Sequence, residues 1–415
     1  MATAVSMIRI AMAAGILAFG FFTCRGGDAW SDGFLLLYML PLVLQFALKG
    51  GARVWALWFG AALVAQTLVT LVFPDHYMTR RPGTRTVQVY NDPEFKPGIT
   101  GTHVVTTDQM GFRTLPHVDY LSKKGYRIFV IGGSTTEDAA LDDSLTWTHK
   151  LQLRLEKNTG RKIEVINTGL AGARAIQNLA TMERVSAFEP DLMIIYTGAN
   201  DWIHHMGLYA KKMSWVVNSV NDPWLPENTL LGRALKRASL LLTGTEKNAE
   251  RTTETRHEWG PPSRHQGDDS LARARKIEFK PEKVHAEFPY ILAAMADHCL
   301  KGRFKCIFVT NAVAYALDVQ EGLKKKFWMT PIHGDYTFTL ESLVHLKNIY
   351  NNEVSSVARR RGIALCDAAT RIPATLEYFY DDSHFNRGGA EKMAGIVEEC
   401  VLKMPDAAGI GTGVR

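Results

Sequence analysis

Apolar residues are spread unevenly along this chain, and the unevenness divides it in two. Residues 5–24, 34–48 and 54–73 form three nearly unbroken apolar runs, joined by the short links CRGGDAWSDG and KGGAR. Arg9 interrupts the first run close enough to its end to snorkel, and Pro41 lies in the second. The third has about the length that crosses a bilayer. The pattern predicts a transmembrane anchor of about three helices over residues 1–74. For the first run, a cleaved signal peptide with residues 1–9 as its charged region is the competing reading. Lys49 and Arg53 sit in the second link, whereas Arg25, Asp28 and Asp32 make the first link negative. The positive-inside rule then places everything after residue 73 outside the cytoplasm, although Arg80, Arg81 and Arg85 pull the other way.

Residues 75–124 are polar and irregular, an edge segment in which TVQVY and THVVTT read as short strands. From residue 125 to 404 short apolar runs alternate with helical spacing. Strands are expected at 127–131, 164–167, 192–197, 306–310 and 364–367, and helices at 147–157, 176–188, 282–300, 339–361 and 387–402. Strands alternating with helices imply an α/β fold, with a parallel sheet covered on both faces. Residues 202–280 break the rhythm and read as an insertion. Short helices fit 206–220 and 230–242, while 244–275 is charged and turn-rich; a lid over a site and a solvated loop are equally good readings. Residues 405–415 read as a flexible tail.

Charge and composition narrow the picture by exclusion. A net charge of +6 over 415 residues, without a basic stripe interleaved with aromatics, gives no basis for nucleic-acid binding. The five cysteines, Cys24, Cys299, Cys306, Cys366 and Cys400, include no CxxC pair and no histidine at zinc spacing, so no metal or cofactor is expected. Buried free thiols are the default reading, with a disulfide left open for an oxidising compartment.

Four short blocks stand at the ends of the expected elements. GGST (132–135) closes the first strand of the 125–404 body, NTGLAG (167–172) the second and GAND (198–201) the third, while DDSH (381–384) opens the last helix. In a doubly wound sheet the first three converge on one carboxyl edge. Ser134 supplies a hydroxyl that needs a base, His384 an imidazole that titrates near neutral pH, and Asp381 a carboxylate that can fix its tautomer. The backbone N–H groups of Ser134 and Gly172 and the Asn200 amide are candidate donors to a developing oxyanion. Taken singly, each block also reads as a helix cap or a turn.

The four blocks resemble blocks I, II, III and V of the SGNH (GDSL-like) hydrolase and acyltransferase superfamily. The resemblance spans about residues 98–402 and takes in TTDQMGFR (106–113), similar to a segment that precedes block I in many membrane-anchored members. It implies a flavodoxin-like three-layer α/β/α sandwich. By position it makes Ser134 the nucleophile, Gly172 and Asn200 oxyanion residues, and Asp381 and His384 the DxxH pair. Gly133 stands where the family's GDS signature usually has aspartate, and Thr136 leaves the GxSxG nucleophile elbow unmet.

The resulting expectation is a membrane-anchored serine esterase or acyl hydrolase, with deacetylase as one form of it, acting on an extracytoplasmic glycan or lipid ester. The alternative is an O-acyltransferase using the same triad, which would need an envelope protein partner to deliver its donor. A catalytically idle scaffold module is the third reading. Asp382 is a substitute for Asp381, and Asp201 is expected to hold a turn. His204 and His205 are expected on an exposed lid, with lining of the pocket as the alternative, Trp202 as an anchor for the insertion or a cover for the entrance, and His149 and His345 as satisfied positions.

Overall fold

The computed structural model describes residues 77–115, 118–209, 253–259, 275–327 and 336–404, with 57, 60 and 61. The three apolar runs apart from 57, 60 and 61, with Cys24, most of the insertion and the tail, lie outside the described residues. Among the described residues no helix is long and apolar enough to cross a membrane.

The chain begins with β1 (Thr84–Tyr90) and β2 (Gly101–Thr106), followed by β3 (Tyr126–Gly132), the one-turn α1 (Ser134–Glu137) and α2 (Trp147–Thr159). Next come β4 (Ile163–Asn167), α3 (Ala175–Val185), β5 (Leu192–Tyr196) and α4 (Ala199–Tyr209). Two short strands, β6 (Thr253–Trp259) and β7 (Arg275–Ile277), precede α5 (Glu287–Lys301) and β8 (Lys305–Val309). The last third holds α6 (Glu321–Lys324), β9 (Tyr336–Phe338), α7 (Leu340–Arg361), β10 (Ala364–Cys366) and α8 (Arg387–Leu402). All of these belong to one compact unit, residues 78–221 with 248–415.

β3, β4, β5, β8 and β10 form a parallel sheet in the order β10-β8-β5-β3-β4. Counted within the sheet this is 2-1-3-4-5, the doubly wound order whose direction reverses between its first and third strands. The helices explain why these strands are apolar almost throughout. α2 packs against α8, while α3 and α7 both pack against α5, giving two separate helical groups for the two faces. Every residue of β4 and β5 is accordingly buried, and all of β3 except Tyr126. Thr146 caps α2 by accepting the His149 N–H, and Gly160 ends it at φ 64, where a side chain is disfavoured. Asn386 caps α8 by accepting the N–H groups of Gly388 and Gly389. Gly132 lies opposite Tyr196, and Val130 opposite Asn167, so the turns after β3, β4 and β5 emerge side by side at the reversal.

Two features depart from expectation. The two expected edge strands, β1 and β2, pair with each other antiparallel, but β6, from the charged part of the insertion, adds to β1 in parallel. Its sequence TETRHEW carries no apolar alternation, so periodicity did not mark it. The second departure concerns the thiols. Cys299 at the end of α5 is bonded to Cys306 in β8 (Cα–Cα 5.9 Å), and Cys366 in β10 to Cys400 in α8 (5.6 Å). Free thiols are therefore the wrong reading for these four. The fold juxtaposes residues whose spacing in the sequence matches no recognised pattern.

Candidate active site

Ser134 opens α1 immediately after β3, at the reversal of the sheet, and its Oγ lies 2.8 Å from His384 Nε2. Close neighbours leave no room for side chains at the glycines before it. A Cβ on Gly132 would sit 2.1 Å from Thr136 Oγ1 and 2.8 Å from the Tyr196 carbonyl, and one on Gly133 would meet Asn200 Nδ2 at 2.7 Å. The turn is held from outside by Arg113, which is buried. Its guanidinium donates to the carbonyls of Glu137 (2.5 Å), Asp138 (2.8 Å) and Leu141 (2.9 Å) and pairs with Asp143 at 2.6 Å. Glu137 in turn accepts the Ala171 N–H and pairs with Arg80 at 2.9 Å.

The histidine comes from a loop that supports itself. Asp381 Oδ1 accepts the backbone N–H groups of Ser383 (2.9 Å) and His384 (2.7 Å), so the carboxylate turns back on its own strand of chain. It also receives His384 Nδ1 at 2.9 Å through Oδ2. The Tyr380 N–H donates to the His384 carbonyl, and Phe379 and Phe385 form an antiparallel bridge that closes the loop. Asp382 faces away, accepting the Tyr315 hydroxyl at 2.8 Å, so Asp381 and not Asp382 orients the imidazole.

The third group of residues lines the other side of Ser134. Asn200 Nδ2 donates to the Ala173 carbonyl at 2.9 Å, bringing the third block against the second. Gly172, just before Ala173, has φ 79, a conformation that suits glycine. The backbone N–H groups of Ser134 and Gly172 have no protein acceptor among the described residues. Asp201 fixes the arrangement from behind by accepting the Ala175 N–H at the start of α3.

Burial disfavours charge on His384, but the Asp381 carboxylate, by charge and by hydrogen bond, outweighs it and holds the imidazole above its usual value. Burial likewise opposes ionisation of Asp381, and the His384 charge and bond, with help from Lys96 and the Ser383 N–H, bring the carboxyl below its usual value. Asp138, four residues after Ser134, behaves differently. Burial pushes it up to about 7 against the Trp147 N–H and the charges of Arg113 and His384. It stands at φ 52, left-handed backbone that is uncommon for a residue other than glycine. The arrangement as a whole can pass the Ser134 proton to His384 and present N–H donors to a nearby oxygen.

The sequence profile of the family described as GDSL-like Lipase/Acylhydrolase matches residues 128–397. The chain belongs to the GDSL-like lipase/acylhydrolase family. No curated protein matches it. Among solved structures, an α/β hydrolase enzyme from the metagenome of Lake Arreo, Spain, is 13% identical, with 68% of this chain and 97% of that one covered at a TM-score of 0.38. An acetylxylan esterase from Geobacillus stearothermophilus is also 13% identical, covering 70% and 98% at 0.37.

Within this GDSL-like domain several expected placements change. Trp202 is fully buried against Tyr350, so it belongs to the core and not to the entrance. His204 and His205 are half-buried on α4 beside His285, not exposed on a lid. Burial, followed by the charges of His285 and His204, pushes His205 down to about 4. Among the described residues no cluster could hold a metal ion. His149 and His345 each meet a backbone carbonyl, of Leu115 and Pro281 respectively. Sequence reasoning missed Arg113, Asp138 and Lys96. The TTDQMGFR segment carried a signal for Arg113, whereas Asp138 and Lys96 had none.

Proposed function

We propose that this chain is a serine ester hydrolase, anchored in a membrane by its amino-terminal apolar runs, that removes a small acyl group from an extracytoplasmic glycan or lipid. The observation that carries the reading is the continuous path Ser134 Oγ–His384 Nε2 and His384 Nδ1–Asp381, at 2.8 and 2.9 Å, beside N–H donors that have no protein acceptor among the described residues. Membership in a GDSL-like hydrolase family supports ester chemistry. The two disulfides favour an oxidising compartment, in agreement with the charge bias of the amino-terminal links.

In this reading His384 takes the hydroxyl proton as Ser134 Oγ attacks the ester carbonyl. The N–H groups of Ser134 and Gly172 and the Asn200 amide meet the negative oxygen of the tetrahedral intermediate. His384 returns the proton to the departing alcohol, and an acyl-serine remains. Water then attacks with its proton passing to His384, and the acid leaves as Ser134 regains its hydrogen. An alcohol in place of that water would give acyl transfer.

The test is hydrolysis of a small acyl ester by the full chain and by Ser134→Ala, with product analysis in the presence of a saccharide acceptor. Free acid that disappears in the variant supports the reading. Full activity in Ser134→Ala sinks it, and acylated acceptor as the main product replaces hydrolysis with transfer.

A further inference from the structure

The β1–β2 loop brings a lysine to the histidine side of the triad. Lys96 Nζ lies 4.1 Å from the centroid of the Tyr380 ring, and that ring is stacked on the His384 imidazole at 5.6 Å with an interplanar angle of 10°. Among the described residues no carboxylate lies within ion-pair distance of Lys96. The loop is seated by specific contacts. Ile99 is fully buried, its N–H donates to the Lys96 carbonyl at 2.9 Å, and Asn386, the cap of α8, reaches the Pro97 carbonyl at 3.4 Å. At Gly98, φ is 81 and a Cβ would meet Asn386 Nδ2 at 2.8 Å, so a glycine is required where the loop rests on that cap. The residue that seats the loop is thus two positions beyond His384.

We propose that Lys96 is a positioning residue for His384: its charge, clamped on the Tyr380 ring beside the imidazole, offsets part of the pull of the neighbouring carboxylates and so widens the pH range in which His384 can accept the Ser134 proton. The inference rests on the esterase reading, because it assigns His384 the role of base. The carboxylates beside the imidazole work in the opposite direction. Asp381 and Asp382 both favour its charged form, and Asp138 lies within electrostatic reach. Burial already disfavours the charged imidazole, yet the carboxylates outweigh it, so a nearby cation is what limits their hold on the proton. Lys96 opposes them, acting on both His384 and Asp381. Burial pulls the Lys96 amine below its usual value, with the Asp381 charge working against that pull. A cation on an aromatic face is a favourable arrangement for a charge with little water around it.

The experiment measures the rate at which a neutral alkyl fluorophosphonate labels Ser134 in the full chain, from pH 5 to pH 9, in wild type, Lys96→Met and Lys96→Arg. Labelling needs His384 to be neutral but needs no knowledge of the natural substrate. Methionine keeps an apolar stem of similar length and removes the charge, and the melting curve of each variant checks that it is folded. In Lys96→Met the acid limb should move up by about one pH unit, making labelling near pH 6 about tenfold slower, with the plateau at high pH retained. Lys96→Arg should keep the wild-type limb. An unmoved limb in folded Lys96→Met overturns the inference, and so does an equal loss of rate at every pH, which would indicate a purely structural contact. Absence of labelling in the wild type is a different result, since it removes the esterase reading itself.

Discussion

The serine and the histidine of this site are held by opposite means. Ser134 sits on a strand clamped at both ends by buried arginines that reach across the sequence. At the amino end of β3, Arg127 pairs with Glu164 at 2.8 Å and donates to the carbonyls of Phe188 and Asp119. Beyond the carboxyl end, Arg113 grips the turn after Ser134. Asn167 adds a further tie, donating to the Thr136 carbonyl at 2.6 Å. The histidine loop, by contrast, is built mainly from bonds among residues 376 to 386, with Asp382 tied outward to Tyr315. A nucleophile at the end of a buried strand takes its precision from the whole domain, whereas the base takes its precision from a short loop. Damage to each should therefore read out differently.

The largest effect is expected on the histidine side. Asp381→Asn should cost about ten-thousandfold in kcat, because the wrong tautomer of His384 is then favoured. Unfolding should be nearly unchanged, since an oxygen remains for the two backbone N–H groups. Steady-state kinetics and a denaturant melt on the same preparation check both halves. Next come the two arginines. Arg113→Met and Arg127→Met should each cost about 3 to 5 kcal/mol of stability by stranding a buried carboxylate. Only Arg113→Met should also slow fluorophosphonate labelling per folded molecule; an equal slowing in both would break the distinction between the two ends of β3. Asn200→Ala should lower kcat by about a hundred- to a thousandfold, roughly 3 to 4 kcal/mol, with KM little changed.

The smallest expected effect concerns Asp138 and pH. Its folded value of about 7 lies well above that of an unfolded aspartate, so between about pH 4 and pH 7 the folded form holds a proton that unfolding releases. Stability from this group is therefore full below about pH 4, falls as the pH rises from there, and is wholly lost once the pH has passed 7. Asp201, also pushed up to about 7 by burial against the Ala175 N–H, has the same sign. Asp138→Asn should gain on wild type as the pH rises, its relative stability increasing by about 2 to 3 kcal/mol between pH 5 and pH 8. Chemical denaturation at the two pH values decides it. The same stability difference at both would show that Asp138 is ionised throughout.

This contrast also explains what could be read from the sequence. The five central strands and their helices were legible because burial on both faces demands apolar runs, and the observed bounds of β3 to β5, β8 and β10 fall within a residue or so of the expected ones. Asp381 and His384 were legible because three residues separate them and a tight turn does the rest. Arg113 lies far from Ser134 along the chain, and no local rule connects them. Lys96 reaches the site only through the packing of a loop on Asn386. β6 escaped because its polar sequence pairs through backbone bonds, which periodicity does not report.

The parallel pairing of β1 with β6 sets an order of events for a chain emerging from the ribosome. Thr84–Tyr90 is made early, but its partner Thr253–Trp259 appears only after β3, β4 and β5 have been completed. During that interval one side of β1 is an open strand edge, a surface that other chains can join. The strand that carries Ser134 can thus be in place among its neighbours while the outer sheet is still unfinished. The β1–β6 seam can close only once β5 has been made, and until then the free edge of β1 needs protection from other chains.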